Sequence, residues 1–288
     1  MNIRPIFAAM TLSLLAAACS GIPANQATTH LGEAHPLGEG TVRSYVTVEA
    51  DGTPSAIGLH YGKGAFDDLP PEPNTISRCF DMNKNGKIDD TGECEGDYET
   101  KLALPPAVAD RSDLIIKWIA VNWNPHGHIP ENVYDLPHFD MHFYIADRAA
   151  VEGIRTGPCG FFINCEDFER ATIAVAARYV HPDYISVGAA VGMMGNHLID
   201  VTSPEHAKPP QTFTHTYIVG AYAGEITFYE PMITHEFLMG RPRQCFPIKQ
   251  PSGWQKSGFH PTVYCIRYDE GSGDYTVSLE GLVYREAG

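Results

Sequence analysis

The chain has 288 residues, with 35 acidic and 20 basic side chains and a formal net charge of -15. No basic patch interrupts that acidity, which excludes a nucleic-acid surface. The 43% hydrophobic content, with only 19% charged residues, excludes a disordered chain. Glycine (27) and proline (22) favour a turn-rich β protein over a helical bundle.

Residues 1–18 set one positive charge, Arg4, before a short apolar run from Ile6 to Ala18. That is the pattern of a secretory signal, too short to span a bilayer as a mature helix. It ends Leu15-Ala16-Ala17-Ala18-Cys19-Ser20, which resembles the bacterial lipobox, although Ala16 stands where that pattern prefers Leu. The resemblance implies cleavage before Cys19 and a lipid anchor on it. Ser20 gives no inner-membrane retention signal, so the expected address is the outer membrane or cell surface, facing the periplasm or exterior. The competing reading is an ordinary Ala-x-Ala cleavage beside a cysteine. No later segment is long and apolar enough to span a membrane.

Setting Cys19 aside leaves six cysteines: Cys79, Cys94, Cys159, Cys165, Cys245 and Cys265. An even number in an exported chain predicts disulfides, and sequence proximity pairs them in that order as Cys79–Cys94, Cys159–Cys165 and Cys245–Cys265. No Cys-x-x-Cys occurs, so thioredoxin or zinc-ribbon chemistry has no support.

Residues 19–40, small and polar with Gly and Pro, read as a flexible tether. From residue 41 to 288 the pattern is one mainly β domain, an antiparallel sandwich or barrel with disulfide-closed loop insertions and little helix. Strands are predicted on either side of Asp51-Gly52, over Leu114–Val121, over Phe139–Ile145, on either side of Ala223-Gly224, and over Val263–Tyr268 and Tyr275–Tyr284. One short helix is predicted at Asp147–Gly153.

Within this frame, residues 79–95 carry Asp81, Asn83, Asn85, Gly86, Lys87, Ile88 and Asp89 at the first, third, fifth, sixth, seventh, eighth and ninth places of an EF-hand-type calcium loop. Alternate oxygens converge on one cation when the chain turns sharply at the glycine. The twelfth place is Gly92, with Glu93 one residue late, and flanking helices are not predicted. A Cys79–Cys94 disulfide closes the loop instead, and the expected role of calcium is structural, with weak affinity of roughly 0.1–1 mM. A solvated turn closed by a disulfide is the plainer alternative.

The run from His138 to Tyr144 alternates two chemistries. Strand periodicity puts Phe139, Met141 and Phe143 on a core face, and His138, Asp140, His142 and Tyr144 on the other. His138 and His142 lie about 13 Å apart along a strand, so one ion takes an adjacent pair, Asp140 with His142 or His138 with Asp140, completed from elsewhere. Candidates to complete it are His128, His197 and Glu230; His215, His235 and Glu236 are further neighbours in sequence. A two-residue Ala223-Gly224 turn predicts Tyr217 opposite Glu230, with His215 diagonal on the same face. Imidazole and carboxylate ligands suit zinc, with iron and manganese as the alternatives.

The segments Gly127-His128, Pro137-His138-Phe139-Asp140, His142-Phe143-Tyr144, Gly195-Asn196-His197-Leu198 and Phe228-Tyr229-Glu230-Pro231 resemble a family of exported bacterial β domains of unknown function. That family is known structurally from a thermophile's stress-regulated protein. The resemblance spans roughly residues 40–240 and implies a mainly β, self-associating domain; it matches His128, His138, Asp140, His142, His197 and Glu230, and brings no activity. Three functional readings follow: an envelope lipoprotein binding a divalent metal at a His/Asp/Glu cleft, a metal-dependent hydrolase, and a purely structural oligomerising domain.

Overall fold

The two-residue alternation that marks the strands builds two stacked sheets. A computed structural model describes residues 26–74, 78–88, 93–94, 96–130 and 132–288. The expected signal segment and Cys19 lie outside the described residues.

In chain order, β1 (Thr28–Leu31), β2 (His35–Leu37), β3 (Gly40–Val48) and β4 (Pro54–Tyr61) open the chain. They are followed by β5 (Tyr98–Ala103), β6 (Trp118–Asn124) and β7 (His138–Tyr144), α1 (Arg148–Glu152), β8 (Thr156–Cys159) and α2 (Cys165–Ala171). Next come β9 (Tyr184–Val191), β10 (Gly195–Asp200), β11 (His215–Tyr222), β12 (Glu225–Thr234) and α3 (His235–Met239). The chain closes with β13 (Arg243–Pro247), β14 (Gly258–His260), β15 (Val263–Tyr268), β16 (Tyr275–Glu280) and β17 (Val283–Arg285).

One seven-stranded sheet has the order β1-β3-β4-β16-β15-β13, with β2 also on β3; a second runs β5-β6-β7-β12-β11-β10-β9, and β14 and β17 form a separate two-stranded sheet. Every named strand pairing is antiparallel. Both seven-stranded sheets are open, so the architecture is a sandwich and not a closed barrel. The main core lies between them: Val46, Ile57, Leu59 and Val277 from the first sheet meet Val121, Phe139, Met141, Phe143 and Ile233 from the second. Burying each such side chain contributes about 1.5–3 kcal/mol, so the sandwich is held mainly by this layer.

The three disulfides pair as the spacing predicts. Cys245 and Cys265 face each other across β13 and β15. In the chain-entropy view, closing the 15-residue Cys79–Cys94 separation contributes about 3 kcal/mol. The short helix is present as α1, between Asp147 and Gly153.

Three expectations are corrected. The tether does not extend to residue 40, because β1 pairs with β3 from Thr28 to Leu31 and β2 pairs with β3 from His35 to Leu37. These are edge strands held through their backbones; three of the four β1 residues are exposed, so no apolar alternation marks them. The strand expected over Leu114–Val121 begins at Trp118 and continues to Asn124, where Pro125 follows. Asn122 and Asn124, in the added stretch, face the site described below.

The third correction concerns register. Tyr217 pairs with Pro231, while Ile218 pairs with Glu230. A bulge between Gly220 and Ala221 absorbs one residue, and a one-residue shift moves every side chain beyond it to the opposite face. His215 therefore lies away from Glu230, with its Nδ1 2.8 Å from the Tyr264 hydroxyl.

Candidate metal centre

Every residue of β7 is buried, on both faces. The apolar face joins the core between the sheets, as its periodicity predicts. The polar face is not solvated: loops fold over it, and two small hydrophobic clusters flank it. Trp118, Tyr144, Phe228 and Met194 pack on one side, and Tyr134, Phe213, Ile218 and Met232 on the other. Between them lie His138, Asp140 and His142, with side-chain exposures of 0%, 9% and 1%.

Pairing sets the neighbours. Asn124 stands opposite His138, and Asn122 opposite Asp140. On the other side, β12 pairs Tyr229 with Phe143 and Met232 with Asp140, which brings Glu230 alongside His142. His197 pairs across β10 and β11 with Gly220. A Cβ on Gly220 would meet the Phe228 ring at 2.2 Å, so glycine is what leaves that ring its place against His142 and His197. The His197 ring in turn packs on Phe228, with centroids 5.1 Å apart. His128 arrives from the loop after β6 and is 37% exposed.

All six predicted ligands gather on this face, in two groups of three: His128, His138 and Asp140, and His142, His197 and Glu230. Within each group the ligand atoms lie within 4.8 Å of one another. The closest approaches are His138 Nε2–Asp140 Oδ1 at 3.0 Å and His128 Nε2–Asp140 Oδ2 at 3.4 Å. In the second group, His142 Nε2 and His197 Nε2 lie 3.5 and 3.6 Å from the Glu230 carboxylate oxygens. Tetrahedral ligands with bonds of about 2.0–2.1 Å are separated by about 3.3 Å, and the four distances straddle that value. Neither of the adjacent pairs expected from the strand alone describes the whole arrangement: Asp140 joins His138, and His142 joins a different carboxylate.

The other ring nitrogens are already engaged. Nδ1 of His138 lies 2.6 Å from the Leu136 carbonyl, Nδ1 of His128 2.7 Å from that of Ile129, and Nδ1 of His197 3.0 Å from that of Ala189. His142 Nδ1 lies 3.2 Å from Asn122 Oδ1, and Asn122 is held by donating from Nδ2 to Asp97. Each contact partner is an acceptor, so each neutral ring carries its proton on Nδ1 and turns the Nε2 lone pair inward. Metal-ligating histidines are oriented in this way. Asn124 Nδ2 donates to Asp140 Oδ2 at 2.8 Å. Meanwhile His142 Nε2 and Glu230 Oε2 are buried with no hydrogen-bond partner, and His138 Nε2 and Asp140 Oδ1 have only each other, at 3.0 Å. Leaving such atoms unsatisfied costs about 1–3 kcal/mol each, unless something binds them.

Electrostatics separates the groups. Burial drives the His142 imidazole down to about 3, helped by His197, and burial lowers His197 to about 4. Burial, then the neighbouring Asp140 charge, pushes the Glu230 carboxyl well above its usual range. Burial opposes ionisation of Asp140 too, but attraction to the His138 and His128 rings prevails and holds it well below the ordinary carboxylate range. The first group thus keeps an ionised carboxylate, and the second keeps neutral imidazoles around a carboxyl that holds its proton to higher pH.

Of the further sequence neighbours, His235 falls elsewhere, with its Nε2 3.1 Å from the Phe66 carbonyl. In the calcium-type loop, Asp81 accepts from the backbone N–H groups of Asn85 and Gly86 at 3.0 and 2.8 Å, and Asn85 Oδ1 accepts from Lys87 at 2.8 Å. Glu93 Oε1 accepts from the Asn83 N–H at 3.0 Å, and Gly86 has φ +81°, as the sharp turn requires. Asp89 lies outside the described residues. Asn122 and Asn124 are the site residues that sequence reasoning missed. Their signal was the repeat Asn-x-Asn, which matches the two-residue spacing of the polar face of β7.

No family model, no curated protein and no solved structure matches the chain.

Proposed function

We propose that this is an exported, lipid-anchored envelope domain that binds a divalent metal, zinc in the first instance, on the outer face of its second sheet. The observation that carries the reading is the convergence of imidazoles turned inward by their Nδ1 contacts on two buried carboxylates, with His142 Nε2 and Glu230 Oε2 left without a hydrogen-bond partner. Imidazole and carboxylate donors together suit zinc. Three disulfides fit an oxidising compartment, and among the described residues no helix is long and apolar enough to cross a membrane. The anchor would be Cys19, and removal of Arg4 with the signal takes the net charge from -15 to -16. Elemental analysis of protein purified without a His tag tests the metal, with His142→Ala as control. Zinc in the wild type and a reduced content in the variant are expected; a metal-free wild type that takes up none on dialysis against zinc overturns the reading.

The hydrolase reading draws on one observation: each group contributes three protein ligands, the number that leaves a coordination position for water in catalytic zinc sites. Turnover of a chromogenic ester by the zinc-loaded protein, abolished by chelation, is its test. The loop 79–95 is proposed as a weak structural calcium site. Its backbone is already wound around Asp81 and Glu93. Millimolar calcium should raise the melting temperature by a few degrees, an effect absent in Asp81→Asn; heats indistinguishable from dilution in a calorimetric titration count against it.

A further inference from the structure

Resting on the metal-binding reading, we infer that the centre takes two divalent ions side by side, one per group of three, and that the loaded pair binds an oxyanion such as a phosphate or carboxylate.

The first argument is geometric. The six ligands do not form one sphere. Asp140 lies beside His138 and His128, whereas His142 and His197 both close on Glu230. Asp140 and His142 are two residues apart on one strand, hence on one face with Cα atoms about 6.6 Å apart. Buried ligand atoms face inward in both groups: His138 Nε2 and Asp140 Oδ1, which touch only each other, in one, and His142 Nε2 and Glu230 Oε2, without a hydrogen-bond partner, in the other. An ion in the first group alone would leave His142 and Glu230 unsatisfied.

The second argument is charge. Two dications on four neutral imidazoles and two carboxylates leave a net charge of +2 in a buried place. Asp97, which accepts from the Asn122 side chain beside His142, is already paired with the Arg78 cation. An uncompensated buried charge is costly, so the loaded pair calls for an anion. Each ion has three protein ligands, so each keeps an open position, and both positions face the same side of the sheet. An oxyanion with two oxygens meets that arrangement as two-metal phosphatase sites meet theirs. The partly exposed His128 marks the side from which it enters.

The test is stoichiometry. Untagged protein stripped with chelator is reloaded with zinc(II) or cobalt(II) and counted by elemental analysis. The wild type should hold two ions per chain. His128→Ala and His197→Ala, chosen because these two rings are the more exposed of the six ligands, should each hold one, with near-UV circular dichroism confirming the fold. Inorganic phosphate should then shift the visible spectrum of the two-cobalt wild type, with at least a tenfold weaker response in either variant. One ion in the wild type, lost in both variants, overturns the two-ion arrangement while leaving metal binding intact. No ion in the wild type overturns the underlying reading as well. Two ions with a spectrum unmoved by phosphate and by acetate overturn the oxyanion.

Discussion

In chelator, a chain carrying His142→Leu together with Glu230→Leu should be at least as stable as the wild type, and in saturating zinc the order should reverse. The reason lies in the metal-free site. His142 Nε2 and Glu230 Oε2 are buried without a hydrogen-bond partner, and the side chains are 1% and 2% exposed. Replacing a buried polar cluster with apolar residues of similar volume is neutral or stabilising by about 1–4 kcal/mol. Zinc changes the sign, because binding to the folded state alone adds about 4 kcal/mol at a thousandfold excess over Kd. Both arms are read from urea unfolding midpoints. A double variant several kcal/mol weaker than wild type in chelator would mean that these atoms are already satisfied without metal, and the crossover would not occur.

Metal uptake at the second group should depend on pH through Glu230 and not through its histidines. Ordinary imidazoles lose zinc as they protonate near 6.5. Here burial holds His142 near 3 and His197 near 4, so both remain available ligands down to about those values. The Glu230 carboxyl is raised by burial and by Asp140, and it must release its proton to bind. Zinc affinity should therefore fall about tenfold per pH unit below the raised value, with one proton released per ion, and Glu230→Gln should abolish that release. Calorimetry in two buffers of different ionisation enthalpy reads the proton count. Two protons released between pH 5 and 6.5 would contradict the neutral imidazoles.

The same shifts fix the stability of the metal-free fold. His142 and His197 have depressed folded values, so their contribution is present above 6.5 and is lost as pH falls through 4 and 3, on the order of 3 to 5 kcal/mol per ring. Glu230 acts oppositely: its contribution is present below the ordinary carboxylate range and is lost as pH rises through its raised value. Glu230→Gln should thus steepen the acid loss.

The candidate ligands were legible in sequence because a strand has a strict period. His138, Asp140 and His142 at every second place, with Phe139, Met141 and Phe143 between them, admit one assignment of faces. His128, His197 and Glu230 came from neighbouring runs, and pairing brought them in. What the period does not contain is partition. Which carboxylate joins which ring depends on the alignment of β7 with β12 and of β10 with β11. A single bulge at Gly220 was enough to displace Tyr217 and His215 from the Glu230 face. Nor does alternation reveal that the polar face is covered, since a solvated strand reads the same way. The edge strands β1 and β2 were missed for the converse reason: backbone pairing alone holds them.

Anomalous diffraction at the zinc edge, from crystals of the untagged, zinc-loaded protein, tests the centre most directly. The account predicts anomalous density within bonding distance of His142 Nε2, His197 Nε2 and the Glu230 carboxylate, with the Nδ1 contacts to Asn122 and Ala189 kept. Crystals in which ordered water molecules bridge His138, Asp140, His142 and Glu230, with no anomalous signal among them, would contradict it.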